Sequence, residues 1–449
     1  MDTVYTQKEE QVEELRGGSR RRLRLRNRVR GLAALGLVAG VGIGLGVFDT
    51  AASSARSAHV AASASGSFGP TLKNGTYGEC YNPTKALVGR ILYGVASLPS
   101  NAAQKNVVLA ALCRAQKNYN VNSNLAYTCW KNDGCSTGTN GKLTVGEADG
   151  FGGNSAREMF KMEFILQALT YPQIGKILYT DANLNTEKAI SDVRSMVAQG
   201  AKVILSYPDA GAAMLPSYQA AEQQGDNVAL WSNANIGKAG TQYMTVTGTN
   251  ICTLGNQYAA EMNKDLPKGG QIAFLGGTPG NTQSPAWQAC EKKALNKNIK
   301  VVATANTSWT RQGALQATSA IISKYPKLNG ISYDYGDATV GVIRAFQAAH
   351  RSLANFVITD YSNENSLLCL YKQLKTPSFK VYTYVNLESQ ARISLTAGMM
   401  KLVGATIPPE INFQPSLRQV TLNSCQSSIP IDGLSTALVA PALQKRMFG

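Results

Sequence analysis

Planar rings, amides and carboxylates recur at the C-terminal ends of the apolar segments of this chain. In order, those ends carry Asp149 and Phe151, Asp181, Asp209, Ser232 and Asn233, Asn250, Trp309, Tyr335, Asp360 and Asn386. Rings can lie on the apolar faces of a sugar while amides and carboxylates take its hydroxyls, so the set suits polyol recognition. Bond-breaking chemistry is poorly supplied by comparison. His59 and His350 are the only histidines, and His59 falls in the leader region described below. A Ser-His-Asp triad or a multi-histidine zinc site would therefore rest on His350 alone. His350 follows Phe346-Gln-Ala-Ala at an expected helix end, where a cation complements the helix dipole. No Gly-x-Ser-x-Gly elbow, Walker A loop or His-Glu-x-x-His motif occurs. Asp334 and Asp337 could pair for acid–base work, but loop carboxylates more commonly bind ligand hydroxyls or cap helices. The expectation is a binding protein rather than an enzyme, with no cofactor and no metal.

Stepping outward to the whole chain, 449 residues with 44% hydrophobic and 16% charged content suffice for a multi-lobed globular protein. The formal net charge is +16; residues 1–69 hold 10 of the 44 Lys+Arg and 6 of the 28 Asp+Glu, leaving +12 beyond them. No basic run interleaved with aromatics follows Arg30, so the excess is a dispersed surface charge and no nucleic-acid partner is expected. Ser19-Arg20-Arg21-Arg22-Leu23-Arg24 opens a basic stretch ending at Arg30, followed by the uncharged residues 31–48 and then by runs of Ala and Ser. This is the order of a secretory signal, and its Ser-Arg-Arg start with a Gly-rich apolar core resembles a twin-arginine signal. The alternative is an uncleaved anchor, because residues 31–48 are just long enough to span a bilayer. Eight cysteines follow: Cys80, Cys113, Cys129, Cys135, Cys252, Cys290, Cys369 and Cys425. An even number in an exported chain favours disulfides. Zinc is disfavoured because Cys129 and Cys135 lack a nearby histidine or second cysteine pair.

The elements that must position the strand-end residues are legible from Lys142 onward. Apolar runs at 143–148, 176–181, 202–207, 228–232, 271–276, 300–304, 330–334, 356–360 and 380–385 predict strands buried on both faces. Amphipathic segments between them predict helices. Ser155-Ala-Arg-Glu158 has the form of a capping box, and Asn185 or Thr186 can cap a helix that Gly200 ends. Strand–helix alternation demands parallel sheets covered by helices and joined by right-handed crossovers. Before this region, a helix-like run from Ala102 to Lys117 and a Gly/Asn/Thr-rich exit, Thr137 to Gly141, belong to a small disulfide-containing segment.

Several stretches resemble the type I periplasmic binding proteins, in particular the ribose-binding-like branch. They are Gln199-Gly-Ala-Lys-Val-Ile-Leu205, Gly270-Gln-Ile-Ala-Phe-Leu-Gly-Gly277, Tyr335-Gly-Asp-Ala-Thr-Val-Gly-Val342 with Arg344-Ala-Phe, and Gly404-Ala-Thr-Ile-Pro408. The resemblance covers about Lys142 to Ile431. It implies two Rossmann-like α/β lobes with parallel sheets, joined by a three-crossing hinge near Asn250, Asn386 and Phe413 and closing on a ligand. The organisation expected is a signal or anchor with linker over 1–69 and a cysteine-containing segment over 70–141. Lobe I takes 142–250 plus 387–413, and lobe II takes 251–386 plus 414–449.

Carried over by position, the family's pocket falls on the Asp149–Asn154 loop with Phe151, and on Ser232, Asn233, Trp287, Trp309, Tyr335, Asp360 and Asn386. Trp309 takes the place of the ring that stacks on the sugar, and Asn386 that of a polar hinge residue. Ribose-binding relatives carry an Asp-Arg pair where this chain has Ser232-Asn233, and an Arg where Trp287 aligns. The resemblance therefore implies a less charged and more aromatic pocket. The implied function is an extracytoplasmic solute-binding protein delivering a sugar-like molecule to the permease subunits of an ABC importer. A membrane-anchored ligand sensor with the same fold is the alternative. Spacing does not settle disulfide connectivity; Cys129–Cys135, Cys252–Cys290 and Cys369–Cys425 are the plausible local pairs, leaving Cys80 with Cys113.

Overall fold

The computed structural model describes residues 81–116, 121–232, 236–376, 378–385 and 387–449. The leader, Cys80, Asn233 and Asn386 lie outside the described residues. Two sheets form. The first joins β1 (Gly134–Ser136), β2 (Leu143–Asp149), β3 (Ile174–Asp181), β4 (Ala201–Tyr207), β5 (Asn227–Trp231), β6 (Thr245–Thr249) and, from late in the chain, β12 (Glu410–Phe413). Its order is β1-β3-β2-β4-β5-β6-β12. The second joins β7 (Gly270–Gly276), β8 (Ile299–Asn306), β9 (Leu328–Ser332), β10 (Val357–Asp360), β11 (Lys380–Thr383) and β13 (Arg418–Gln419) in the order β13-β11-β10-β9-β7-β8. Pairing is parallel throughout except at the edge strands β1 and β13. The chain thus passes between the sheets after β6, after β11 and after β12, which makes two α/β lobes with three crossings.

Each of the nine apolar runs forms a strand, because Val, Ile, Leu and Phe pack on both pleat faces under helices. Strands β6 and β12 are additional to those runs. Residues 245–249 read Thr-Val-Thr-Gly-Thr and carry no apolar run, yet they are buried because their hydroxyls are answered. Ser394 Oγ donates to Thr247 Oγ1 at 3.1 Å, and Thr245 Oγ1 donates to the Pro408 carbonyl at 2.7 Å.

Helix caps set where the chain turns back from each strand. The expected capping box at Ser155 is displaced by one residue. Asn154, extended at φ −139° and ψ 164°, caps α4 (Ser155–Ala168) by accepting from Arg157 N at 3.0 Å. Ser155 is thereby the first helical residue, with its hydroxyl free to face the other lobe. Asn185 caps α5 (Thr186–Ala198) in the same way, and Gly200 at φ +80° ends it. On lobe I, α6 (Leu215–Gln223) follows; Asn250 caps α7 (Ile251–Asp265) at the first crossing.

The early segment is welded to lobe I. Helix α1 (Lys85–Ile91) and α2 (Ala102–Gln116) share an apolar cluster with Ile393, Ile411 and Phe413. Arg114 donates to the Thr170 carbonyl at 2.9 Å, and Asn412 N donates to Gln104 Oε1 at 3.2 Å. Helix α3 (Ser123–Lys131) and β1 carry the Cys129–Cys135 bridge against the edge of β3. Lobe II has α8 (Gln283–Ala294), α9 (Arg311–Lys324), α10 (Gly336–Ala348) and α11 (Asn365–Leu374), and the chain returns to lobe I with α12 (Gln390–Leu402). After β13 the tail comes back once more: Leu438 N donates to Glu163 of α4, and Arg446 on α13 (Pro441–Phe448) donates to Asn124 at 2.8 Å.

The bridges Cys129–Cys135, Cys252–Cys290 and Cys369–Cys425 are all formed. Cys113 is not free, and its expected partner Cys80 is not among the described residues. The Cys369–Cys425 bridge ties α11 to the tail across a separation of 56 residues. In the chain-entropy account, closing such a loop stabilises by roughly 4 kcal/mol. Replacing both cysteines by alanine should therefore lower the unfolding free energy by about that amount in denaturant titration, while non-reducing peptide mapping of the parent recovers all three bridges.

Candidate functional site

The C-terminal ends of the parallel strands in both sheets face a common cleft, as open α/β sheets arrange their binding sites. A small cavity of about 40 Å³ lies there, walled from lobe I by Asn154, Ala156, Arg157, Phe160, Tyr207, Trp231 and Ser232. Gln283, Trp309, Asp334, Tyr335 and Tyr361 complete it from lobe II. Six of the twelve walls are aromatic.

The lobe I wall is assembled around Arg157, which lies in the first turn of α4 and is 5% exposed. Its guanidinium donates to Asp149 at the end of β2 and to both oxygens of Asp209 at 3.0 and 3.1 Å. Burial works against the Arg157 charge, and the two carboxylates more than offset it, holding the group firmly cationic. Burial pushes Asp149 and Asp209 upward in turn, opposed by Arg157. The guanidinium plane lies 3.5 Å above the Tyr207 ring and 5.2 Å from Trp231. Trp231 stacks on Phe160 at 4.2 Å, with Tyr207 edge-on to it at 4.9 Å. The result is a rigid aromatic wall behind which the charge is neutralised.

Asp334 organises the lobe II wall. It accepts from Ser284 Oγ at 2.6 Å, Trp287 Nε1 at 2.9 Å and Trp309 Nε1 at 2.8 Å. Burial raises its pKa, and those three donors pull it back. Trp309 sits flat against Gly277, where an added Cβ would fall 2.0 Å from the ring, so only glycine admits this indole. Trp309 and Ser308 have φ of +50° and +55°, and Ser232 across the cleft has +68°. Non-glycine residues held in that region cost on the order of 1–3 kcal/mol each and gather at binding sites.

Hydrogen bonds cross the cleft directly. Gln283 Oε1 accepts from Tyr207 OH and from Ser232 Oγ, each at 2.9 Å, and Ser155 Oγ lies 3.1 Å from Tyr335 OH. Of the site residues expected from sequence, Asn154, Ser232, Trp309 and Tyr335 are brought together on the cavity. The others described are not. Trp287 is fully buried on α8 between Tyr258 and Phe274, and its indole N–H is spent on Asp334, so it supports Trp309 from behind. Asp149 is consumed by Arg157. Phe151 is buried one turn away, against Gly153. Asp360 accepts from Thr339 Oγ1 at 2.6 Å and Tyr361 N at 2.8 Å, so it sets the position of Tyr361 rather than facing the cavity. Asn233 and Asn386 lie outside the described residues. Sequence reasoning passed over Tyr207 and Trp231, although they end β4 and β5 and the strand-end rule itself points to them. Arg157 and Gln283 lie in first helical turns and offer no comparable signal. Among the described residues, no group of three or more His, Cys, Asp or Glu side chains is placed to hold a metal ion.

Residues 153–405 match the model of the family described as periplasmic binding protein domain. The chain belongs to that family. Within it this periplasmic binding protein is of the type I, ribose-binding-like kind. The ribose import binding protein of Bacillus subtilis (strain 168) is 22% identical over 180 residues, 40% of this chain and 57% of that protein. The chain thus spans little more than half the length of that curated relative. An ABC transporter periplasmic solute binding protein from Actinobacillus succinogenes 130z, solved with bound D-allose, is similar at TM-score 0.54 and 20% identity, covering 63% of this chain and 99% of that one. The Caulobacter myo-inositol binding protein, bound to myo-inositol, gives 0.56 and 20%, covering 62% and 94%. These structural likenesses establish the fold of the present periplasmic binding protein.

Two outcomes follow from this geometry. Trp309→Ala should weaken ligand binding by ~1–3 kcal/mol in calorimetry with the fold retained, and Gly277→Ala should do so too by displacing the indole. Separately, burial pushes Asp360 up to about 7, against about 3.9 when unfolded. A folded pKa above the unfolded one means its stabilising contribution is full below about pH 4 and is lost as pH rises through about 7. Burial raises Glu147, Glu291 and Glu364 in the same direction. The melting temperature should be higher at pH 5 than at pH 8, and Asp360→Asn should reduce that difference.

Proposed function

We propose that this protein is an extracytoplasmic solute-binding protein that closes on a neutral, sugar-like molecule and hands it unchanged to an ABC importer. The observation that carries this reading is the cleft itself. Both walls are lined by aromatic rings, with Tyr207 edge-on to Trp309 across the cleft, hydroxyl and amide groups lie beside them, and its charged groups, Arg157 and Asp334, are already answered within the protein. A site of that kind binds a polyol through ring stacking and hydrogen bonds, and offers little to an ionic ligand. D-allose and myo-inositol, bound by two proteins of the same fold, fit the same chemistry.

Transport rather than catalysis is supported by the partners of the cleft hydroxyls. Ser155, Ser232 and Tyr207 bond to phenol and amide oxygens, with no imidazole among them. The basic, apolar and small-residue order of the leader supports export, and among the described residues no helix is long and apolar enough to cross a membrane.

The test is a thermal-shift screen against monosaccharides, disaccharides, polyols, amino acids and nucleosides, followed by calorimetry. A saccharide or polyol should give the largest shift; stabilisation by amino acids or nucleosides alone would refute the reading. With saturating ligand, small-angle scattering should show a smaller radius of gyration as the lobes close. Deleting the protein from its host should abolish uptake of the same solute.

A further inference from the structure

A second compartment of about 310 Å³ adjoins the first, also between the lobes. Gly150, Leu184, the start of α5 at Asn185 and Thr186, Asp209 and Ala210 form one side; Thr278, Pro279 and Gly280 form the other. The two spaces share a boundary: Arg157 walls the first, and Asp209, which receives two of its hydrogen bonds, walls the second. Tyr207 and Asp209 are two residues apart on one strand exit, so a molecule spanning both spaces needs to be only about one ring longer than a monosaccharide.

The wall of the second space holds an unanswered hydroxyl, sealed from solvent in this closed arrangement. Thr278 is 3% exposed, lines the compartment, and its hydroxyl has no hydrogen-bond partner. An orphaned buried hydroxyl costs about 1–3 kcal/mol unless something answers it. Leu184, opposite, is one of few large apolar side chains left exposed, at 42%, and suits the apolar face of a ring. The amide ends of α5 add donors. An anion is disfavoured there despite the helix terminus, because the one charged residue lining the space is a carboxylate, Asp209, and Lys188 of the first turn is taken by Asp192.

We propose that this compartment is a subsite for the second ring or the glycosidic substituent of a larger neutral saccharide, so that the solute is a disaccharide or glycoside. The assignment rests on the carbohydrate reading of the main cleft. It extends that reading by giving Thr278, Leu184 and Ala210 a role in choosing ligand length.

The test is calorimetry on the full chain with glucose, galactose, ribose and myo-inositol against maltose, lactose, cellobiose and the methyl and aryl glycosides. At least one two-part ligand should bind about tenfold or more tighter than either of its parts. Thr278→Val, which keeps shape and removes the hydroxyl, should weaken that ligand roughly three- to tenfold and leave monosaccharide binding unchanged. Ala210→Phe, with melting checked, should fill the space and bring the two-part ligand down to the monosaccharide level. If monosaccharides bind and two-part ligands bind no better, the subsite is refuted while the cleft reading stands. Tighter binding of sugar phosphates than of neutral saccharides would also overturn it. If no saccharide of either length binds, both readings fall together.

Discussion

A guanidinium taken out of water must be answered by carboxylates, and the burial of Arg157 governs how the cleft face of lobe I is built. Removing one partner of such a pair typically costs 3–5 kcal/mol, because the remaining charge stays buried. The ends of β2 and β4 are therefore obliged to present Asp149 and the loop bearing Asp209 to the first turn of α4. Once the guanidinium is held there, its flat faces order Tyr207 and Trp231, and Phe160 one turn along α4 stacks beneath. A single salt-bridged cation thus produces an aromatic wall that carries no net demand for an ionic ligand. The same pair lies at the boundary of the two compartments between the lobes.

Lobe II solves the same problem with the opposite charge. Asp334 is buried, and three donors converge on it, two of them indole N–H groups. Trp287 completes the core and Trp309 faces the cleft, so one carboxylate couples the packing of α8 to the orientation of the ring at the site. Backbone strain at Ser232, Ser308 and Trp309 marks both rims. Among the described residues, the cleft is bridged by two hydrogen bonds to Gln283, one between Ser155 and Tyr335, and an edge-to-face contact of Tyr207 with Trp309. At about 1 kcal/mol net for each neutral bond, these three cross-cleft bonds together contribute only a few kcal/mol to the closed arrangement. A ligand contacting both walls can shift such an equilibrium, whereas the rigid walls themselves stay as they are.

The sequence by itself determined the lobes, because strands buried on both faces need continuous apolar runs and capped helices between them. It also marked the strand ends, and of the residues read there Asn154, Ser232, Trp309 and Tyr335 line one cavity. It offered the three described disulfides as plausible local pairs, and the tertiary structure decided them by bringing each pair together. Strand β6 escaped it because burial there depends on threonine hydroxyls finding Ser394 and Pro408, partners 147 and 163 residues distant, and β12 escaped with it because it is a four-residue strand that pairs on β6 from far along the chain. Trp287, Asp149 and Asp360 were legible as polar or aromatic strand-end and helix residues, but their direction was not. Whether such a side chain faces ligand or core is settled by which donor or acceptor reaches it first, and those partners come from other elements. Arg157 shows this most plainly: on a helix it resembles any solvated arginine, and only the convergence of two strand ends on that helix turn makes it the organiser of the cleft.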